Sequence, residues 1–256
     1  MKKTFKSVYI ALILLFLYAP IAVMIALSFN ASKSRAVWGG FSLTWYAQLF
    51  DSLEIMQALQ VTLTVAVLAT LVATVIGSLG AIGIHAMKSG RANALINLSY
   101  LSMTTPDIAT GVSLMLMFVF MKIPLGWGTM LMAHIAFDTP YVLFSVLPKL
   151  RQMNPSTYEA ALDLGCKPGK ALRKVILPQI MPGIVTGALL SFTMSLDDFV
   201  ISYFTSNTDQ NLSMIVYSAA RRGIEPTIYA LSTLMFLAVL VLLVVINKRS
   251  SLEDVS

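Results

Sequence analysis

The hydrophobic positions of this chain fall into long unbroken runs, with polar residues gathered between them, rather than into the alternations of half-exposed strands and helices. Six runs are long enough to cross a hydrocarbon core of roughly 30 Å, which takes about 20 helical residues. They lie at about 8–29, 59–86, 96–121, 127–147, 180–204 and 227–246; His134, Asp138 and Pro140 interrupt the fourth. The pattern predicts an all-α membrane protein, one transmembrane domain over residues 1–256 with six transmembrane helices. Between the fourth and fifth runs, at about 148–178, stands an insert of different character.

Within the insert the spacing becomes that of short amphipathic helices. Asn154-Pro155 offers an N-cap followed by proline at the first helical position, and Gly165 ends the helix. Tyr158, Ala161 and Leu162 share one face, Glu159 and Asp163 another. Pro168 opens a second helix, with Ala171, Leu172, Val175 and Ile176 on one side and Lys170, Arg173 and Lys174 on the other; Pro178 is expected to break it before the fifth run. Such a hairpin either lies on lipid headgroups or docks a soluble partner.

Composition supports the membrane reading: 57% of residues are apolar and 12% charged, against about 25% charged in soluble domains. The net charge of +6 comes from basic residues at the ends of apolar runs, which fits membrane topology and not a nucleic-acid surface. With the N-terminus inside, one side collects thirteen lysines and arginines, among them Lys2, Lys3, Lys6, Lys248 and Arg249; the other holds Lys33, Arg35, Lys122, Arg221 and Arg222. Both termini and the insert are therefore expected in the cytoplasm. The first run far exceeds the core of a secretory signal, so it is expected to be an uncleaved span. The single cysteine, Cys166, excludes an internal disulfide and a cysteine-based metal site. No repeat of similar halves is apparent, which argues against a transporter built from inverted repeats within this chain.

Four acids lie within or at the ends of the runs: Asp107, Asp138, Asp197 and Asp198. An aspartate at the centre of a span costs about 2.5–3.5 kcal/mol to insert, and no lysine or arginine lies deep in a run to pair with it. Unpaired acids facing a cavity suit a cation. Ser191, Ser195, Asp198 and Ser202 fall on one helical stripe, which makes Asp198 the foremost pathway candidate, with Asp197 beside it. Asp107 follows Pro106 at a bend or a helix start, where it serves either a substrate or a helix end. His134 and Asp138, four residues apart, can meet on one helix face, where a structural hydrogen bond is expected over a proton relay. Trp45 and Tyr46 offer either a π face to a cation or an interfacial anchor. Gly111-Val112-Ser113 contains a GxS element without the second glycine, and no GxGD element occurs, so an intramembrane protease is not supported. No GxxxxGK[ST] phosphate loop occurs either.

Glu159-Ala160-Ala161, Gly165 after three residues, and Leu177-Pro178 after eleven more carry a resemblance. From Glu159 to Pro178 the insert resembles the EAA loop of ABC importer permeases, departing only in Val175 where isoleucine is usual. The stretches LYAPIAVMIALSFN, LTWYAQLF, MTTPDIATGVSL, HIAFDTPYV and SFTMSLDDFVISYF together look like the spermidine/putrescine branch, specifically its second permease subunit. The resemblance implies a type I importer permease fold in a bacterial plasma membrane and a non-catalytic chain. It implies a second permease subunit, an extracytoplasmic polyamine-binding protein, and two ATP-binding subunits that hold the ATP and magnesium. Glu159, Ala160, Ala161, Gly165 and Pro178 would then form the coupling helices seated on the ATPase. Asp198, Asp197, Asp107, Ser195 and Trp45 are the pathway candidates; ferric iron is another solute that acids would suit.

Overall fold

A computed structural model describes residues 2–253; the side chains of Lys2, Lys3, Lys248 and Arg249, used in the orientation argument, lie outside the described residues. Among the described residues the chain forms twelve α-helices: α1 (Lys2–Ser28), α2 (Thr44–Asp51), α3 (Leu53–Ala86), α4 (Ser89–Thr104), α5 (Asp107–Phe120), α6 (Trp127–Gln152), α7 (Pro155–Asp163), α8 (Pro168–Ala171), α9 (Leu177–Asp197), α10 (Val200–Thr205), α11 (Leu212–Arg222) and α12 (Pro226–Glu253). A π-helical segment, Leu172–Ile176, joins α8 to α9.

Among the described residues four helices are long and apolar enough to cross a membrane: Phe5–Ser28, Leu53–Ala86, Trp127–Gln152 and Pro168–Asp197. The expected third span is not one helix. Pro106 pushes Thr105 into an extended conformation, as proline does to the residue before it, and α4 and α5 meet at 104°. The expected fifth span also breaks, because Asp198 is extended after the end of α9. The fourth, despite His134, Asp138 and Pro140, continues unbroken as α6. The sixth falls on α12, whose described apolar part is Pro226–Val241.

Pro178 does not break the helix before the fifth run. Proline cannot donate to the carbonyl four residues back, and the chain absorbs that loss by widening into the π turn just ahead of it. The helical rod therefore continues from Pro168 to Asp197.

The helices sort into two compact units. One comprises the chain up to Gln57 together with Ile215–Asn247. From Phe5 to Pro20 its α1 is largely apolar and exposed on every side, as befits a helix whose surroundings are lipid or another apolar chain. The loop after α1 is organised by buried Asn30, whose Nδ2 donates to the Ser34 and Val37 carbonyls while its Oδ1 accepts from the Ser32 and Gly39 N–H groups. The Asn30 carbonyl accepts Trp45 Nε1–H at 2.6 Å.

The second unit centres on Ala58–Met214. Its core lies where α3, α6 and α9 meet, around Ala73, Ala81, Val142, Val146, Leu150 and Ile180. Glycines let the backbones approach: a Cβ at Gly183 would lie 2.9 Å from the Ser145 carbonyl oxygen, and one at Gly187 3.0 Å from Val142 Cα. Small residues at such crossings supply the dispersion contact on which helix association in lipid depends.

Candidate functional site

Two places in the second unit carry chemistry beyond packing. The first is the hairpin of α7 and α8. Asn154 caps α7 by accepting the Ser156 N–H at 3.1 Å. At the other end Gly165 adopts φ +81°. Its N–H donates to the Leu162 carbonyl at 2.8 Å, and the Cys166 N–H donates to Ala161 at 3.0 Å. This paired closure needs the left-handed conformation that glycine takes at least cost. Lys167 then extends, and Pro168 starts α8. Glu159, Ala160 and Gly165 are exposed, Ala161 is half-buried, and Pro178 is exposed on the first turn of α9. Leu164, which the sequence pattern does not single out, is 88% exposed at the tip. Its apolar character on an otherwise polar turn was the available signal.

The second place is a buried polar joint where α9 breaks. Asp198 accepts the Ile201 N–H on Oδ1 at 3.1 Å and, on Oδ2, the Ser202 N–H at 2.7 Å and hydroxyl at 2.9 Å, so its carboxylate caps α10. Its main-chain carbonyl accepts Asn211 Nδ2–H at 2.8 Å. Asn211 also donates to Ser202 Oγ at 2.8 Å and accepts the Met214 N–H on Oδ1 at 2.8 Å. His134, from α6, spans the break: Nδ1 lies 2.6 Å from Ser195 Oγ, and Nε2 lies 2.9 Å from Ser202 Oγ and 3.4 Å from Asp198 Oδ2.

Hydrogen counting assigns the imidazole. Ser202 has one hydroxyl hydrogen, given to Asp198, and two lone pairs, one taken by Asn211. The imidazole must therefore donate from Nε2 to the other, and in the neutral ring Nδ1 accepts the Ser195 hydroxyl.

The expected His134–Asp138 hydrogen bond does not form. The serines and Asp198 supply His134 with partners on both ring nitrogens, whereas Asp138 is fully buried and neither of its carboxylate oxygens has a hydrogen-bond partner among the described residues. Of the pathway candidates, Asp198 and Ser195 come together at the joint. Asp197 ends α9 and is exposed; Asp107 is exposed in the first turn of α5, where an acid favours the helix dipole. Trp45 is only 4% exposed, with its N–H bonded, and so presents neither an open π face nor an interfacial anchor. The glycine of the GxS element is explained by packing, since a Cβ at Gly111 would meet the Phe204 ring at 3.0 Å. Asn211 and Asn30 were missed; each stands at a helix boundary, where asparagine is favoured for its short amide.

An all-helical fold among the described residues, with several apolar spans and a self-capped exposed hairpin, fits a membrane transport component as the class of protein. The family of binding-protein-dependent transport system inner membrane components matches residues 73–248, and the chain belongs to it. It is 35% identical over 250 residues to the spermidine/putrescine transport system permease protein PotC of Haemophilus influenzae, covering 96% of this chain and 97% of that relative. It is 39% identical to the putrescine transport system permease protein PotI of Escherichia coli, covering 88% of this chain and 83% of the relative. In fold it is similar to a chain of a bacterial ABC transporter involved in import of the acidic polysaccharide alginate, with TM-score 0.72, 17% identity, and coverage of 96% and 92%. The MetNI methionine ABC transporter gives TM-score 0.63 at 20% identity, covering 80% of this chain and 99% of that one.

Proposed function

We propose that this chain is a permease subunit of an ATP-driven importer that moves polyamines, spermidine or putrescine, into the cytoplasm. The observation that carries the permease reading is the self-capped hairpin holding Glu159, Ala160 and Leu164 outward; the relatives named for spermidine and putrescine support the substrate. The chain itself performs no chemistry. It works with a second permease chain, two ATP-binding subunits inside and a polyamine-binding protein outside, and both of its termini are cytoplasmic. The hairpin seats on the ATP-binding subunit, and ATP binding and hydrolysis there shift the pathway between outward and inward states through their different affinities for the two. Asp198, Asp197 and Asp107 supply negative charge along the pathway to ammonium groups spaced on an apolar chain. The test is uptake of labelled spermidine, putrescine and ferric iron in cells deleted for the gene, with and without this chain restored. Polyamine uptake returning with the chain is expected; restored uptake of a different solute would overturn the substrate.

A further inference from the structure

Helices α6 and α9 both run between the hairpin and the polar joint. From His134 to Gln152 and from Leu177 to Ser195 are eighteen helical steps each, roughly 27 Å at 1.5 Å per residue. Along that length Gly183 and Gly187 seat α9 against the backbone of α6 so closely that a single added carbon collides. Packed interiors of this density shift as bodies and do not deform continuously. At the far end, however, α9 stops at Asp197 and α10 begins at Val200. A break in a helix absorbs motion unless something spans it.

The α6 side chain that spans it is His134. One ring nitrogen holds Ser195, before the break, and the other holds Ser202, after it. The ring is rigid, so the two bonds fix the separation of residues 195 and 202 in a way that a flexible side chain with both polar atoms at one end does not. Ser202 is held from two further sides by Asp198 and Asn211, so its hydroxyl is not free to follow another partner. We propose that His134 is a positioning residue for transport: it stiffens the α9–α10 break, so that displacement of the hairpin reaches α10 and Asp198 instead of being lost at the break. The proposal rests on the transport function inferred above.

The test uses the assembled transporter reconstituted in liposomes, comparing wild type with His134→Ala, His134→Gln and the milder Ser195→Ala. Spermidine uptake and ATP hydrolysis are measured side by side. In a Cys166→Ser background, Tyr203→Cys, on α10 and 57% exposed in the native residue, reports maleimide labelling with and without trapped nucleotide. In His134→Ala, uptake falls about tenfold, the factor that a buried hydrogen bond of ordinary net strength supports. Hydrolysis stays within about twofold over the same variants, the signature of lost coupling as opposed to lost assembly. The nucleotide-dependent labelling difference at position 203 disappears, and His134→Gln, a flexible side chain with its donor and acceptor at one end, does not bring it back. Uptake and hydrolysis falling in proportion, or a labelling difference that persists without the imidazole, overturns the proposal. If His134→Ala does not assemble, Ser195→Ala carries the same comparison by removing the upstream bond alone. A wild-type complex that carries no polyamine would sink the substrate assignment, while hydrolysis and labelling would still decide the role of His134.

Discussion

The hairpin and the polar joint lie at opposite ends of the same two helices and are built on opposite plans. Every bond that shapes the hairpin is local: Asn154 to Ser156, Gly165 to Leu162, Cys166 to Ala161. Glu159, Ala160 and Leu164 on it are exposed. The joint adds to its local caps two bonds between residues 61 and 68 positions apart, His134 with Ser195 and Ser202, and it is buried. A surface that meets a separate chain must hold its shape alone, and short-range capping allows this. A joint inside the bundle can rely on the whole fold, and it fails when the fold does.

The largest effect should therefore come from the joint. Asn211→Leu leaves the Asp198 carbonyl, the Ser202 hydroxyl and the Met214 N–H short of a partner, a loss of about 3 kcal/mol at roughly one per bond. The thermal aggregation midpoint of the purified chain should drop sharply, before any question of docking arises. Next is Gly165→Val, which places a branched side chain at φ +81° at a cost of about 1–3 kcal/mol. Here the expected outcome is reversed: retention of the ATP-binding subunit on purification is lost while the melting of the chain is unchanged. A fall in melting equal to that of Asn211→Leu would erase the contrast between the two regions.

Asn154→Ala removes the α7 cap for about 1 kcal/mol, about fivefold in retention of the same subunit. Smallest is Asp138→Asn. Among the described residues neither carboxylate oxygen meets hydrogen-bond geometry with a partner, so stability in a melting assay should stay level or rise by at most about 1 kcal/mol; a loss above about 2 kcal/mol would show that this acid is held after all.

The same contrast explains what could be read from the sequence. Asn154, Pro155, Gly165 and Pro168 act on their own backbone, so their spacing gave the hairpin directly. His134 has no local signature. Paired by proximity with Asp138, it turns instead to two serines brought in by α9 and α10. The stripe of Ser191, Ser195, Asp198 and Ser202 assumed one continuous helix, yet Ser195, Asp198 and Ser202 still converge because His134 and Asn211 draw them together across the break. Pro106 and Pro178 mark the limit of reading proline alone: one bends the chain by 104°, while the other is accommodated by a π turn that leaves no simple pattern in residue type.

That π turn has a rotational consequence. A π turn takes up about one residue more than an α turn, and one residue is worth about 100° around the helix axis. Leu172–Ile176 therefore sets the compass bearing of everything ahead of it against the faces of α9. Removing one residue there would tighten it to an α turn and leave the faces of the hairpin and of α9 in their present relation, whereas removing one residue from the regular helix beyond it would swing the tip by about 100°. The wide turn is what lets the chain carry one residue more without turning the hairpin away from its bearing.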